Sequence, residues 1–163
     1  MALVVETGDA LSTAESYISV ADADARATAL GSTAWTGTDA AKEAALRRAT
    51  AFMEQRYASR WRGTRVLREQ ALSWPRYGAS AHGFDLPSTT VPGAIANACA
   101  DLAARALTET LNADQSRGVL RKKIGPIETE YDPYGSQAKS YPAIDQALAP
   151  YMTGGGMGRL VRA

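Results

Sequence analysis

The sequence predicts a mainly α fold: a small helical bundle of about four helices with a long loop and a protruding β-hairpin. Three observations lead to this prediction. Alanine, the strongest helix former, accounts for 32 of the 163 residues. Two segments of about twenty residues repeat apolar side chains at the spacing of one helix face. Between these segments lies a stretch rich in proline and glycine, which favours a loop.

The chain is expected to begin with an edge strand over the apolar residues 2–6, and a helix is expected over residues 20–30. Ser19 has the side chain of an N-cap, because its hydroxyl can accept a hydrogen bond from a free N–H of the first turn. Asp22 lies in that turn, where the helix dipole favours an anion. Gly31 should end the helix, since glycine adopts the left-handed conformation of a C-cap without strain.

The second helix is predicted to run from Thr38 to about Arg60. Phe52 borders its buried face, which consists of residues at helical spacing: Leu46, Ala49, Met53 and Tyr57. After this helix, residues 64–90 are interrupted by proline and glycine, so we expect a long ordered loop with one helical turn near residues 68–72. Loops of this length often carry function.

A third amphipathic helix is expected from a cap at Thr90 to about Leu111, and a short fourth helix is expected to begin at Tyr141-Pro142. Proline near the start of each agrees with this, because its missing N–H is not needed in the first turn. Between these helices, two short strand-like segments around a Gly-Pro turn predict a β-hairpin over residues 117–132.

The domain boundary is predicted from the run Gly154-Gly155-Gly156, since three glycines hold regular structure only at a high entropic cost. We expect one helical domain over residues 1–153 and a flexible Gly-rich docking tail over residues 154–163. The tail is not a phosphate-binding loop, because it lacks a preceding strand and the Gly-Lys-Ser/Thr ending of such loops.

Several classes of site lack the residues that they need. One cysteine and one histidine exclude a disulfide framework, a cysteine-based zinc site and a histidine cluster. Cys99 falls on the apolar face of a predicted helix and His82 in a loop, so neither has the adjacent base or acid of a nucleophilic site. We therefore predict no catalytic, cofactor-binding or metal-binding residues, no cofactor, and no enzymatic activity.

No apolar run approaches the length of a membrane span, so no membrane association is expected. The N-terminus also lacks the basic and apolar regions of a signal peptide, which predicts synthesis in the cytoplasm.

Charge is unevenly distributed, although the net charge is only +1. Residues 1–25 carry five acids and no base, and residues 56–68 carry five arginines and no acid. Such segregation favours head-to-tail association of identical chains. An alanine-rich core buries little area per residue, and a thin core also favours association of identical chains.

Two basic segments are candidates for DNA contact. The arginines of residues 56–68 alternate with Tyr57 and Trp61, and Trp74 follows; basic and aromatic side chains together are what single-stranded nucleic acid binding uses. Arginines at the end of a long helix are more often solvated or salt-bridged and such aromatic rings more often buried, and this is the reading that we favour here. The second segment, Arg121-Lys122-Lys123, lies on the predicted hairpin.

Several short motifs, in their order along the chain, resemble one family. They are Trp61-Arg62-Gly63, Gln70-Ala71-Leu72-Ser73-Trp74-Pro75-Arg76, Val91-Pro92, Lys123-Ile124-Gly125-Pro126-Ile127 and Tyr141-Pro142-Ala143-Ile144-Asp145. This order is similar to that of the head–tail connector proteins of tailed bacteriophages, also called adaptors or head-completion proteins. Some relatives are instead described as primosomal-type single-stranded-DNA-binding proteins, and that is the alternative.

The connector resemblance implies a structural virion protein that forms a ring of twelve identical subunits. Its partners would be the portal protein and a tail-side neck or tail-completion protein. Genomic double-stranded DNA would pass through the channel without sequence-specific binding. The protein would be located in the virion neck, after assembly in the host cytoplasm.

This reading assigns a role to each charged segment. Portal docking falls to tail residues, namely Arg159, Leu160, Val161 and Arg162. The DNA channel is faced by basic hairpin residues, namely Arg121, Lys122 and Lys123. Contacts between subunits would be made by loop arginines, namely Arg62, Arg65 and Arg68. Their partners on the neighbouring subunit would be either the N-terminal acidic segment or the second hairpin strand, with Glu128 and Glu130.

Overall fold

The computed structural model describes residues 2–112, 121–124, 127–130 and 139–153. Four α-helices lie in this part of the chain: α1 (Val20–Ala29), α2 (Asp39–Tyr57), α3 (Gly93–Ala106) and α4 (Pro142–Leu148). Antiparallel strand pairs accompany them: β1 (Thr64–Arg65) with β2 (Arg76–Tyr77), β3 (Ser80–Ala81) with β4 (Phe84–Asp85), and β5 (Arg121–Ile124) with β6 (Ile127–Glu130). Single 3-10 turns follow α2 (Ala58–Arg60) and α4 (Ala149–Tyr151). The predicted mainly α class is confirmed.

The first two helices begin as the sequence predicts. The Ser19 hydroxyl accepts a hydrogen bond from the backbone N–H of Asp22 at 3.1 Å. The Thr38 hydroxyl accepts one from the N–H of Ala41 at 3.3 Å. Both side chains therefore satisfy a donor that has no partner inside its own helix.

The core forms where α2 packs against α3. Every predicted residue of the α2 face is buried, and so are the apolar residues of α3: Ile95, Ala98, Cys99, Leu102 and Ala106. Alanine on both helices leaves room for a close approach, so Ala45, Ala49 and Ala103 have no exposed surface. The periodicity of the sequence therefore identified the buried faces correctly.

The predicted bounds of the third helix are wrong at both ends. The helix begins at Gly93 with Pro92 as its N-cap, and the Thr90 hydroxyl instead donates to the carbonyl of Pro87 at 3.3 Å. It ends at Ala106 rather than at Leu111. There the Thr108 hydroxyl donates to the Arg105 carbonyl at 3.2 Å, and such local side-chain bonds compete with helix continuation.

Two further local predictions are wrong. Residues 2–6 form no edge strand but a single parallel bridge between Val5 and Ser16. Residues 68–72 form bends and no helical turn, because the buried Gln70 side chain holds this segment open. Its amide nitrogen donates to the carbonyls of Leu72 at 2.7 Å and Pro75 at 3.1 Å.

The N-terminal segment is held by a buried carboxylate. Glu6 accepts hydrogen bonds from the backbone N–H groups of Gly8 at 2.8 Å, Ala10 at 3.0 Å and Leu11 at 2.7 Å. Gly8 has a φ of +119°, and a Cβ there would lie 2.0 Å from the Thr89 carbonyl oxygen. This close approach docks the segment against the residues that precede α3.

The predicted hairpin is present as the β5–β6 pair. Its register places Arg121 opposite Glu130 and Lys123 opposite Glu128, so basic and acidic positions face each other across the strands. The side chains of these strands and the predicted tail over residues 154–163 lie outside the described residues.

Candidate nucleic-acid interface

The segment between the end of α2 and the start of α3 carries the predicted arginines, and we call residues 60–86 the arginine lobe. It contains the two short strand pairs β1–β2 and β3–β4. The β3–β4 hairpin turns at His82 and Gly83, whose φ values of +54° and +84° are those that a two-residue type I′ turn requires.

A buried arginine ties the two arms of the lobe together. The Arg76 guanidinium donates to the carbonyls of Arg62 at 2.7 Å, Gly63 at 2.6 Å and Ser73 at 3.1 Å. Its burial lowers the pKa of Arg76 below the ordinary value. Gly63 permits the close approach of the arms, because a Cβ there would lie 2.4 Å from the Tyr77 carbonyl oxygen.

A second set of hydrogen bonds anchors the lobe to α2. The Ser73 hydroxyl donates to one oxygen of Glu54 at 2.6 Å, and the Tyr17 hydroxyl donates to the other. Tyr17 in turn accepts from the backbone N–H of Trp74 at 3.3 Å. Burial, followed by the charge of Glu54, raises the pKa of the Tyr17 phenol, so it stays a neutral donor.

The tryptophans predicted as base-stacking candidates form the floor of the lobe. Trp74 has no exposed surface and Trp61 only 4%. Their rings meet edge to face at 5.9 Å, and Trp61 also contacts Tyr57 at 5.7 Å. The reading that these rings are buried is therefore confirmed, because they pack against Tyr57 of α2 and Tyr151 of the 3-10 turn after α4.

Two other aromatic rings face solvent, and the sequence reasoning missed both. Tyr77 is 70% exposed and Phe84 is 75% exposed. Strand alternation was the signal available for the first: in β2, Arg76 points inward, so the next residue points outward. Phe84 follows the His82-Gly83 turn and pairs with the buried Ala81, and its exposure left no signal in the sequence.

Three exposed arginines of the lobe, and the partly buried Arg60, lack an acidic partner within the described ranges. In the described part of the chain, no carboxylate forms an ion pair with Arg60, Arg62, Arg65 or Arg68. Arg62 donates to the carbonyl of Met152 at 3.0 Å and Arg65 to that of Leu72 at 3.3 Å, which leaves their other N–H groups for an external anion.

The acids of the N-terminal segment are already bonded within the chain. Glu15 pairs with Arg47 at 2.9 Å and Asp24 with Lys42 at 2.7 Å. These partners lower the pKa of both carboxyl groups, and Glu6 is bonded to backbone N–H groups. The contact of this segment with the arginines of a neighbouring subunit stays a prediction.

The remaining candidates lie elsewhere. Cys99 is buried beside the Thr50 hydroxyl at 3.3 Å, and burial raises the pKa of its thiol. His82 is exposed at the hairpin tip, with its ring 6.1 Å from that of Tyr151. Within the described ranges, no three His, Cys, Asp or Glu side chains cluster as metal ligands. No helix there combines the length and apolar character of a membrane span.

A comparison with protein families decides between the two readings of the sequence. One family model, described as "Putative DnaT-like ssDNA binding protein", matches residues 1–163. The chain belongs to this family. The search of curated proteins found no match to this chain, and neither did the search of solved structures.

Membership in the DnaT-like family corrects the connector reading. It contradicts the structural virion ring with its identical subunits and its channel for double-stranded DNA. It also contradicts the portal and tail-side partners. The motifs behind that resemblance maintain the fold: Trp74 fills the core and Arg76 joins the arms of the lobe. Residues that only hold a fold together do not identify a function.

Several expectations remain untested predictions. They include the location in a virion neck, the domain division at residue 153, the absence of enzymatic activity and the inter-subunit contacts of Arg62, Arg65 and Arg68. For Arg121–Lys123, Glu128 and Glu130 the structure describes the backbone register alone, and Arg159–Arg162 lie outside the described residues.

Proposed function

We propose that this protein binds single-stranded DNA through the arginine lobe, and that it acts by binding rather than by turning over a substrate. Family membership supports the ligand class. The observation that carries the location is the combination, on one lobe, of two exposed aromatic rings and four arginines that pair with no carboxylate among the residues the structure describes.

The arginines supply the electrostatic part of the binding. Phosphate oxygens accept hydrogen bonds from guanidinium groups, and neutralising the backbone releases condensed cations. Because Arg62, Arg65 and Arg68 already sit on a lobe fixed by Arg76, little ordering is needed when DNA binds. The binding should therefore be independent of sequence and sensitive to salt.

The exposed rings supply the preference for a single strand. Tyr77 and Phe84 lie on adjacent strand pairs, and the chain path limits their Cα separation to about 20 Å, which a few nucleotides span. In a duplex the faces of the bases are stacked on each other. Only unpaired bases can stack on these rings, at about 1–3 kcal/mol for each base.

The test is equilibrium binding of the full chain to fluorescent oligo-dT and to a blunt duplex of the same length. We expect oligo-dT to bind more tightly, and Tyr77→Ala and Phe84→Ala each to weaken it by about 1–3 kcal/mol. Leu30→Ala is the matched control, because Leu30 is an exposed apolar residue on the C-cap of α1. Equal affinities for both DNAs, or equal losses with the control, would show that the proposal is wrong.

A further inference from the structure

Val66 and Leu67 form an exposed apolar pair in the arginine lobe, which we call the tip. These residues connect β1 to the bends before β2, and they are 37% and 50% exposed. Single exposed apolar residues are common on protein surfaces, but here two are adjacent and lie between Arg65 and Arg68.

The tip is held in place from inside the lobe. The side-chain oxygen of Gln70 accepts a hydrogen bond from the backbone N–H of Leu67 at 2.9 Å. Gln70 is itself buried, and its amide nitrogen is fixed by the carbonyls of Leu72 and Pro75. The tip is therefore presented as a rigid feature, and a partner need not pay the entropy of ordering it.

The charges beside the tip favour a nucleic acid partner. Arg65 precedes the tip and Arg68 follows it, and neither has an acidic partner among the described residues. Phosphates therefore fit on both sides of the apolar pair. Apolar side chains such as leucine serve elsewhere as wedges that pack against bases and alter their stacking.

We propose that the Val66–Leu67 tip packs against the terminal base pair at a junction between single-stranded and double-stranded DNA. This inference rests on the proposed function, because the arginines and exposed rings of the same lobe would hold the single strand. The preferred ligand is then a duplex with a single-stranded tail. At such a junction one face of the last base pair is uncovered, and the tip would shield it from water.

The test compares three fluorescent probes on the full chain: oligo-dT, a blunt DNA hairpin, and the same hairpin carrying an oligo-dT tail. We expect the tailed hairpin to bind about tenfold more tightly than oligo-dT, as the burial of one leucine side chain allows. Leu67→Ser should remove this difference and leave the oligo-dT affinity unchanged. Leu30→Ser, which alters an exposed leucine outside the lobe, should change neither.

Each outcome decides a different point. If oligo-dT and the tailed hairpin bind equally well, the junction proposal is wrong and the proposed function stands. If no probe binds, the proposed function itself fails. If Leu67→Ser leaves all DNA affinities unchanged but abolishes self-association in sedimentation, the tip contacts protein and the junction proposal is overturned.

Discussion

The aromatic side chains near the arginine lobe have two distinct environments. Trp61 and Trp74 are buried and meet edge to face, while Tyr77 and Phe84 are largely exposed. A buried ring contributes to folding, whereas an exposed ring contributes little to stability and is available to a ligand. The two groups should therefore respond differently to substitution.

Truncation at Trp74 and at Tyr77 should separate stability from binding. Trp74→Ala should lower the free energy of unfolding by about 3–5 kcal/mol, because it leaves a cavity beneath the lobe. Tyr77→Ala should change it by less than about 0.5 kcal/mol, since the ring is exposed. Urea unfolding measures both values. A large loss of stability in Tyr77→Ala would contradict the assignment of this ring to ligand binding.

The arginine lobe packs on the core through buried rings, whereas polar bonds join its strands to each other and to α2. Its strands are only two residues long. Arg76 joins its two arms, and Glu54 connects it to α2 through Ser73 and Tyr17. Such a lobe can open locally while the α2–α3 core stays folded.

Arg76→Lys tests this separation between lobe and core. Lysine keeps the charge but lacks the planar fork that reaches three carbonyls, so the lobe should open more readily by about 1–3 kcal/mol. Hydrogen exchange should become faster in residues 62–84 and stay unchanged in α2 and α3. Uniformly faster exchange across all three would show that the lobe and the core unfold together.

The elements differ in how far the sequence could predict them. The faces of α2 and α3 follow from a repeat of 3.6 residues, which is local information. Strands β1 and β2 of the lobe depend on contacts between residues distant in the chain, such as Thr64 with Tyr77, thirteen positions apart. A lone Gln70 or Arg76 gives no sign in the sequence that its side chain is buried. The sequence therefore located the arginines and favoured burial of Trp61 and Trp74, but it did not identify Tyr77 and Phe84 as the exposed rings.

The acidic and the basic side chains of the molecule have different roles. The carboxylates of the N-terminal segment accept hydrogen bonds inside the chain, while the arginines of the lobe remain without acidic partners in the described residues. The net charge of +1 conceals this difference. Overall charge would predict weak DNA binding, whereas the local arrangement predicts a specific basic surface.

Because these acids are paired inside the chain, we expect the stability of the protein to decrease at acid pH. Lys42 with Trp35 lowers the pKa of Asp24, and Arg47 lowers that of Glu15. Carboxyl groups with a lowered folded pKa stabilise the protein above their unfolded pKa of about 4, and this contribution is lost as the pH falls through the folded value. The midpoint of urea unfolding should therefore decrease as the pH falls below about 4.5.

Lys42→Met provides the control for this acid dependence. It removes the cation that holds the pKa of Asp24 low, so the decrease in stability at acid pH should become smaller. An unchanged pH profile in Lys42→Met would mean that this pair does not contribute to the acid dependence.

The salt dependence of oligo-dT binding tests the central claim most directly. If Arg60, Arg62, Arg65 and Arg68 each neutralise one phosphate, the logarithm of the association constant should fall against the logarithm of salt concentration with a slope of about −3. Replacing Arg65 and Arg68 by glutamine should reduce the magnitude of that slope by about 1.4. Arg48→Gln, which alters an exposed arginine on α2, should leave it unchanged. A slope near zero, or one that responds to Arg48 and not to the lobe arginines, would contradict the account.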